Sequence, residues 1–421
     1  SSLLPTQSAV YNAIAEAEIA GGTTLTGWYN VLDNGLVSDG TFTTGTDNTA
    51  AMVSLLSTAP ENSVIFIPRG SFMFSDSIVL PTSKRLTILS YAEPYFRKSG
   101  FIVDGAKGHK LILNGRVLGD DESGTPNYTG QTNSGVWVRN SRNNEVVLNV
   151  VSGFKYAVRV GGHATGSATA EGAQYNKISW NWLWRNSVGI YVHPSGGTTD
   201  ANGNWSNECF YYGGQITADT GIMFRRDPLE PAGDRMNGHK FYNVGFEYAG
   251  PGPMSVGIWG EFAFNNTFFG GRFEPNGVTK KLELSSNCDN FSFYGWYFND
   301  TWLANPGNNI SITGAIYEED NGLCLGNYAQ GYNYSGSSYF DGRVRVYGNQ
   351  RSLSAATSVA SNIDVVYQVD DDLVATTSPY NIPAGAKFIK SNYSSGTGSI
   401  VLPSPASASN ESRTIRHVHA S

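Results

Sequence analysis

Charge is scarce in this chain. Asp, Glu, Lys and Arg make up 15% of 421 residues and leave a formal net charge of −7. Basic doublets such as Arg225-Arg226 and Lys280-Lys281 are far too small for an electrostatic footprint on a phosphate backbone, so nucleic acid is excluded as a partner. No window approaches the roughly 18 uninterrupted apolar residues of a membrane helix, and the first residues lack a basic-then-apolar leader. The expectation is a soluble chain that is neither membrane-inserted nor Sec-exported. Cys209, Cys288 and Cys324 stand singly, without a C-x-x-C pair, and three cysteines in so long a chain make no disulfide framework. They read as small buried apolar groups. His417 and His419 point to one side of a strand but have no third ligand nearby, and no tight Asp-x-Asp cluster appears, so neither metal nor cofactor is expected.

Aromatics at 13% and 49 glycines are plentiful. That is too aromatic for disorder and too poor in Lys, Glu and Leu for a helical protein. Residues 1–20 have helical composition, with Val10, Ile14 and Ala17 on one face, and Gly21-Gly22 ends them. A second helix is expected over 47–56, capped by Thr46 or Asp47, with Met52, Val53, Leu55 and Leu56 as its apolar stripe. Strands follow at 64–67, 72–74, 77–80 and 85–89.

From about 100 to 327 the sequence repeats itself, in two kinds of strand. One begins with Gly and a large or β-branched residue, as in Gly135-Val-Trp-Val, Gly189-Ile-Tyr-Val, Gly221-Ile-Met-Phe and Gly257-Ile-Trp, with Tyr156-Ala-Val-Arg-Val a shifted copy and Lys281-Leu-Glu-Leu a weaker one. The other begins near an Asn and alternates apolar residues, with first apolar positions at 146, 178, 211, 241, 268, 293 and 312. Lys110-Leu-Ile-Leu-Asn-Gly fits as a preceding copy. Units so short, without intervening helices, cannot each close a core. Stacked at about 4.8 Å per layer they can, as a right-handed parallel β-helix. A β-propeller would need four antiparallel strands in roughly 40 residues per blade, which these steps do not supply. Past 330 the texture changes to alternating segments such as Ile363-Asp-Val-Val-Tyr and Lys387-Phe-Ile-Lys, read as an antiparallel β domain. The expected organisation is an N-terminal stalk over 1–27, a capping entry over 28–98, the β-helix over 99–330 and a C-terminal β domain over 331–421. Since the chain stops apparently mid-strand after Arg413-Thr-Ile-Arg416-His-Val-His419, that last domain reads as possibly truncated.

The run Asn30-Val-Leu-Asp-Asn-Gly35, Asp39-Gly40, Thr46-Asp-Asn-Thr-Ala-Ala51, Val64-Ile-Phe-Ile-Pro-Arg-Gly70 and Phe72-Met-Phe74 resembles the capping entry of pectate-lyase-like β-helices, bacteriophage tailspikes above all. Leu4-Pro-Thr-Gln-Ser-Ala-Val-Tyr-Asn-Ala13 is similar to linker helices of phage tail fibres, and Ser399-Ile-Val-Leu-Pro-Ser with Arg413-Thr-Ile-Arg416 to a C-terminal sheet segment of the same proteins. The resemblance implies a homotrimer in the virion tail, held to the tail or baseplate through its N-terminus, that cleaves bacterial capsular or O-antigen polysaccharide by hydrolysis or elimination. Its motifs specify architecture rather than chemistry.

Alternation sets which residues of the Gly-Ile strand face out. One outward column runs Trp137, Arg159, Tyr191, Met223, Trp259 and Glu283, and the next Arg139, His193, Arg225 and Glu261. Aromatic faces interleaved with Arg and Glu suit a long sugar chain, and they suit a subunit interface as well. At the end of the other strand, Thr217, Glu247, Glu274, Asn299 and Glu318 fall in one column. Glu247 and Glu274, about one layer apart, have the geometry of an acid and base or nucleophile in glycoside hydrolysis; solvated acids each matched to a basic neighbour are the plainer alternative. The charged loop 224–239 adds Asp227 as a further acid and His239 as a further sugar contact, unless its charges merely neutralise one another. Elimination on a uronate polymer would instead use His193, His239 or a Tyr as base, with Arg225 or Arg139 on the carboxylate. On one strand Trp180, Trp182 and Trp184 face the same way, and with Ile178 inward they read as core, Trp184 being the most exposed. The functional expectation is a tailspike depolymerase acting as an endo-glycoside hydrolase; the alternatives are a polysaccharide lyase and a non-catalytic glycan-binding adhesin.

Overall fold

The computed structural model describes residues 27–40, 44–105, 107–119, 133–161, 172–194, 206–225, 236–247, 254–274, 277–285, 288, 290–294 and 296, and beyond 296 only the backbone of short strands. The lead-in helix expected over 1–20 lies outside these residues. Within them the chain is all-β apart from the helix Thr49–Thr58 and one 3-10 turn. No described helix is long and apolar enough to cross a membrane.

The helix starts where Asp47 Oδ1 accepts the Thr49 N–H at 3.0 Å, which occupies a donor that the first turn leaves unpaired. Its buried face is Met52, Leu55 and Leu56, whereas Val53 faces solvent at 46% exposure, outside the stripe assigned to it. The strands Ser63–Ile67, Ser71–Phe74, Ile78–Leu80 and Leu86–Ser90 follow closely where the sequence places them.

Each strand then pairs in parallel with its counterpart one coil later, so the chain winds as stacked coils. In a first column Leu111, Val146, Ile178, Tyr211, Phe241, Phe268, Phe293 and Ile312 are successive register partners. They are the residues that the unequal repeat steps select. In-register pairing piles like side chains on one another inside the stack: Tyr211, Phe241, Phe268 and Phe293 have ring centroids 4.2, 4.7 and 4.8 Å apart. A second column carries inward Val117, Val151, Leu183, Ile216, Phe246 and Phe273. A third carries Val136, Val158, Ile190, Ile222, Ile258 and Leu282. The glycine that opens the third-column strand has a packing reason. A Cβ on Gly221 would lie 2.3 Å from the Phe246 ring and one on Gly257 2.4 Å from Phe273, so the turn between columns closes only over a bare Cα.

Entry into each first-column strand uses a fixed device. Gly108, Asn143, Tyr175, Glu208, Gly238, Asn265 and Asn290 all have positive φ. The residue after each turns inward: His109, Asn144, Asn176, Cys209, His239, Asn266 and Phe291 are all buried. The amides there satisfy the corner backbone. Asn144 Oδ1 accepts the His109 N–H at 2.8 Å, Asn176 Oδ1 the Asn144 N–H at 3.0 Å, and Asn266 Oδ1 the His239 N–H at 3.0 Å. Cys209 and Cys288 are buried free thiols.

The C-terminal expectation is corrected. Val344–Gly348 and Ile363–Tyr367 continue the first column in parallel. Tyr380–Asn381 with Ile400–Val401, and Phe388–Ser391 with Thr414–His417, are also parallel. Among the described strands beyond 331 none is antiparallel, and the antiparallel pair Ile316–Glu319 with Gly322–Cys324 lies earlier. Alternating residues and turn signals do not encode strand direction; connection length does, and these connections are longer than hairpin loops.

The stacks predict stability losses that chemical unfolding can measure. Phe268→Ala, which opens a gap in the ring stack, should cost about 3–5 kcal/mol. Asn176→Ala, which strands a buried N–H of Asn144, should cost about 1–3 kcal/mol. Losses near zero would mean the stack relaxes to fill both gaps.

Candidate active-site face

The outer face of the third column brings together most of the sequence-selected sugar contacts. Trp137, Arg159, Tyr191, Met223, Trp259 and Glu283 are register partners along it. Their side chains bond chiefly to one another. The Arg139 and Arg159 guanidiniums lie 4.1 and 3.8 Å from the Trp137 ring centroid, and Trp137 Nε1 donates to Gly161 O at 2.7 Å. Arg139 is ion-paired with Asp104 at 2.8 Å. Arg159 Nε donates to His193 Nε2 at 2.7 Å, and Tyr156, Tyr191 and His193 stack at 4.5 and 4.7 Å. Burial works against the Arg159 charge, while Tyr191 and Tyr156 support it. His193, 5% exposed, spends Nε2 on the Arg159 donor and so has no lone pair there for a substrate proton. Further along, Trp259 and Glu261 are half-buried, Arg225 is exposed, and Glu283 pairs with Lys280 at 3.0 Å. Asp227 lies outside the described residues.

The second column presents a different surface. Glu247 and Glu274 directly follow the inward pair Phe246 and Phe273, whose rings are 4.8 Å apart. The ladder runs on through them, since Glu247 N–H bonds Ile216 O at 3.0 Å and Glu274 N–H bonds Phe246 O at 2.8 Å. The two carboxylates therefore sit one rung apart on one face, about 4.8 Å between backbones. Arg272, on the outward position beside them, is ion-paired with Glu247. Glu247 is thus matched to a basic neighbour, as the plainer alternative expects, and the guanidinium relieves its repulsion with Glu274.

The same face carries an aromatic platform. Trp180 is buried at 3% exposure, but Trp182 and Trp184 are half-buried and face outward, their rings 5.3 Å apart. Strict alternation fails because the coil turns a corner at Asn181: Asn181 and Trp182 both point out, and the phase shifts by one. Trp182 Nε1 donates to Thr217 Oγ1 at 3.2 Å, and Trp184 is the register partner of Thr217. The series Trp184, Thr217, Glu247, Glu274 consequently occupies four consecutive rungs. Two residues past Thr217, Asp219 stands between the second and third columns; its side chain is exposed to solvent, yet the protein packed around it removes enough water to push its carboxyl above the usual range. The repeat alignment passes over Asp219 because its counterparts in other coils are not acids. Among the described residues no three metal-ligating side chains converge.

No family model matches the chain, and no curated protein matches it in sequence. Several solved structures overlap its backbone. The surface protein and adhesin PfbA of Streptococcus pneumoniae does so at a TM-score of 0.49 and 13% identity, over 92% of this chain and 99% of that one. The A-module of the mannuronan C-5 epimerase AlgE6 of Azotobacter vinelandii follows at 0.36 and 13%, over 93% and 99%. Tailspike protein 3 of bacteriophage CBA120 overlaps at 0.29 and 10%, over 97% of this chain and 68% of that one. At such identities the likeness is one of backbone path, and side-chain chemistry has to come from this chain's own faces.

His239 is a correction. Far from contacting a sugar, it fills the inward corner slot held elsewhere by Asn144, Asn176 and Asn266, with no exposed surface. Its Nε2–H donates to Ser206 O at 2.7 Å. The sequence held the signal, since His239-Lys-Phe-Tyr aligns with the Asn-initiated copies. Burial pushes the imidazole down to about 4, with the Ser206 bond opposing. Below the ordinary value near 6.5 the unfolded chain binds a proton that the native state refuses. Stability contributed by neutral His239 should therefore be complete above about pH 6.5 and fall by about 3 kcal/mol as pH drops to about 4. His239→Gln should flatten that part of the pH–stability curve; an unchanged curve would place the acid sensitivity elsewhere.

Proposed function

We propose that this chain is the body of a phage tailspike depolymerase that cleaves bacterial surface polysaccharide as an endo-acting glycoside hydrolase. The observation that carries the reading is the ion pair of Glu247 with Arg272, with Glu274 on the next rung, in the column that begins at the outward Trp184. A sugar chain lying along these rungs stacks on the tryptophans and brings a glycosidic bond over the acids. Glu247, ion-paired with Arg272, is the carboxylate that either attacks the anomeric carbon or takes a proton from the attacking water. The bridging oxygen leaves with its bonding pair and receives a proton from an acid on a neighbouring rung, Glu274 or Asp219. Desolvation at Asp219 favours its protonated form.

Elimination is left with a Tyr as its base by the state of the histidines. His239 is enclosed in the core, and His193 Nε2 is engaged by Arg159, so neither is placed as the base a lyase needs. The same reading takes the stack to be a right-handed β-helix, the hand that parallel crossovers adopt almost without exception. It assigns residues 1–27 to tail attachment, 28–98 to the capping entry, 99–330 to the working helix and 331–421 to a C-terminal domain, in a homotrimer of the virion tail.

Incubating the purified protein with a panel of capsular and O-antigen polysaccharides separates the chemistries. Hydrolysis yields new reducing ends without the ultraviolet-absorbing unsaturated uronate of elimination, and pure binding yields neither. Glu247→Gln, together with Glu274→Gln or Asp219→Asn, whichever removes the proton donor, should lower turnover about a hundredfold or more at unchanged melting temperature. Near-normal rates in all three variants would remove these acids from the mechanism.

A further inference from the structure

A second feature lies on the first column, away from the acids. Tyr212, Tyr242, Phe269 and Tyr294 hold equivalent outward positions on successive rungs, with ring centroids 5.0, 5.0 and 5.3 Å apart. Each inner ring is covered by its neighbours. The ladder ends at Tyr212, whose register partner on the preceding rung is Ser179, followed by Val147. A hydroxymethyl group thus stands where another ring would have stacked. Among the described residues no ring covers that side of Tyr212, which is 44% exposed.

The step is the wall of a cavity of about 500 Å³ lined by Val147, Ser179 and Tyr212 together with Asn149, Asn181 and Asn243. That volume falls in the usual range for small-ligand sites. Every lining side chain is uncharged. Asn181 Nδ2 donates to Asn149 Oδ1 at 3.0 Å and Asn149 Nδ2 to Asn114 O at 2.9 Å, which fixes the amide row.

We infer that this step is a binding site for an uncharged sugar unit, separate from the cleavage corner. The pyranose lays its C–H face on Tyr212 above Ser179, and its hydroxyls bond the amides of Asn181 and Asn243. An anionic sugar is disfavoured, because no cation in the lining offsets the desolvation of a carboxylate. The site stands whether or not the acids on the second column cleave anything.

Titration calorimetry with neutral tetrasaccharides from dextran, mannan, galactan and cellulose, and with tetragalacturonate as the acidic comparison, tests this. At least one neutral tetrasaccharide should bind. Tyr212→Ala should weaken it about tenfold or more. So should Ser179→Tyr, which extends the ladder by one ring, fills the step and keeps the fold, as an unchanged melting temperature would verify. Glu247→Gln should leave this binding intact, which separates it from the hydrolase reading. Binding of tetragalacturonate alone, of none of the neutral probes, or unaltered by either substitution would overturn the inference. So would a Ser179→Tyr variant that changes oligomeric state and not affinity, since the face would then be a contact between copies of the chain.

Discussion

Parallel, in-register pairing between successive coils is the constraint from which the remaining features follow. Once Val146 pairs with Ile178 and Ile178 with Tyr211, every residue lies above its own equivalent, and the core becomes a set of piles rather than a three-dimensional mosaic. A pile amplifies whatever occupies it. Apolar rings gain a partner on each side, whereas a buried polar group is stable only where the next rung offers the complementary atom. Hence the corner slot alternates through Asn144, Asn176, Cys209, His239 and Asn266, each of which can answer the backbone of its neighbour or do without.

This regularity explains how much could be read in advance. The first-column register emerges from the repeat positions alone, because a slip of one residue would turn an entire apolar row to solvent. The outward row from Trp137 to Glu283 follows from the same alternation. Failures occur where alternation is interrupted. At the Asn181 corner two successive residues face out, so Trp182 and Trp184 leave the core that Trp180 enters. Histidine suggests chemistry and hence an outward place, but the position of His239 in the repeat marks it as the polar member of an inward row. Strand direction beyond 331 is not legible in the sequence, because side-chain periodicity is the same in parallel and antiparallel sheets.

Site chemistry was less legible than site position, for a physical reason. Sequence places Glu247 and Glu274 in one row, but the state of a carboxylate depends on what approaches it sideways. Arg272 reaches Glu247 from the neighbouring row, and its role is set by the offset between two outward positions on adjacent rungs. Similarly, Arg139 and Arg159 look like free sugar-binding cations in a list of outward residues, yet they converge on Trp137, Asp104 and His193. Asp219 escapes notice because no repeat copy echoes it.

Charge placement carries the argument one step further. Of the cations on the third column, Arg139 is matched to Asp104, and Arg159 is drawn over Trp137 and bonded to His193, so neither projects a free charge into solvent. On the second column Glu247 is paired with Arg272 and Arg116 with Glu93, Arg185 lies 4.4 Å from the Trp184 ring centroid, and the first-column cavity is lined by neutral groups alone. With a net charge of −7, the chain as a whole repels a polyanion. On the first column a uronate-rich polymer would have its carboxylates desolvated against Tyr212 and the asparagine row. A polymer built mostly of uncharged sugars meets no such barrier, and the stacked aromatic edges supply contact area at little conformational cost. The neutral lining of the first column and the stacked rings beside it therefore suit an uncharged sugar better than a uronate.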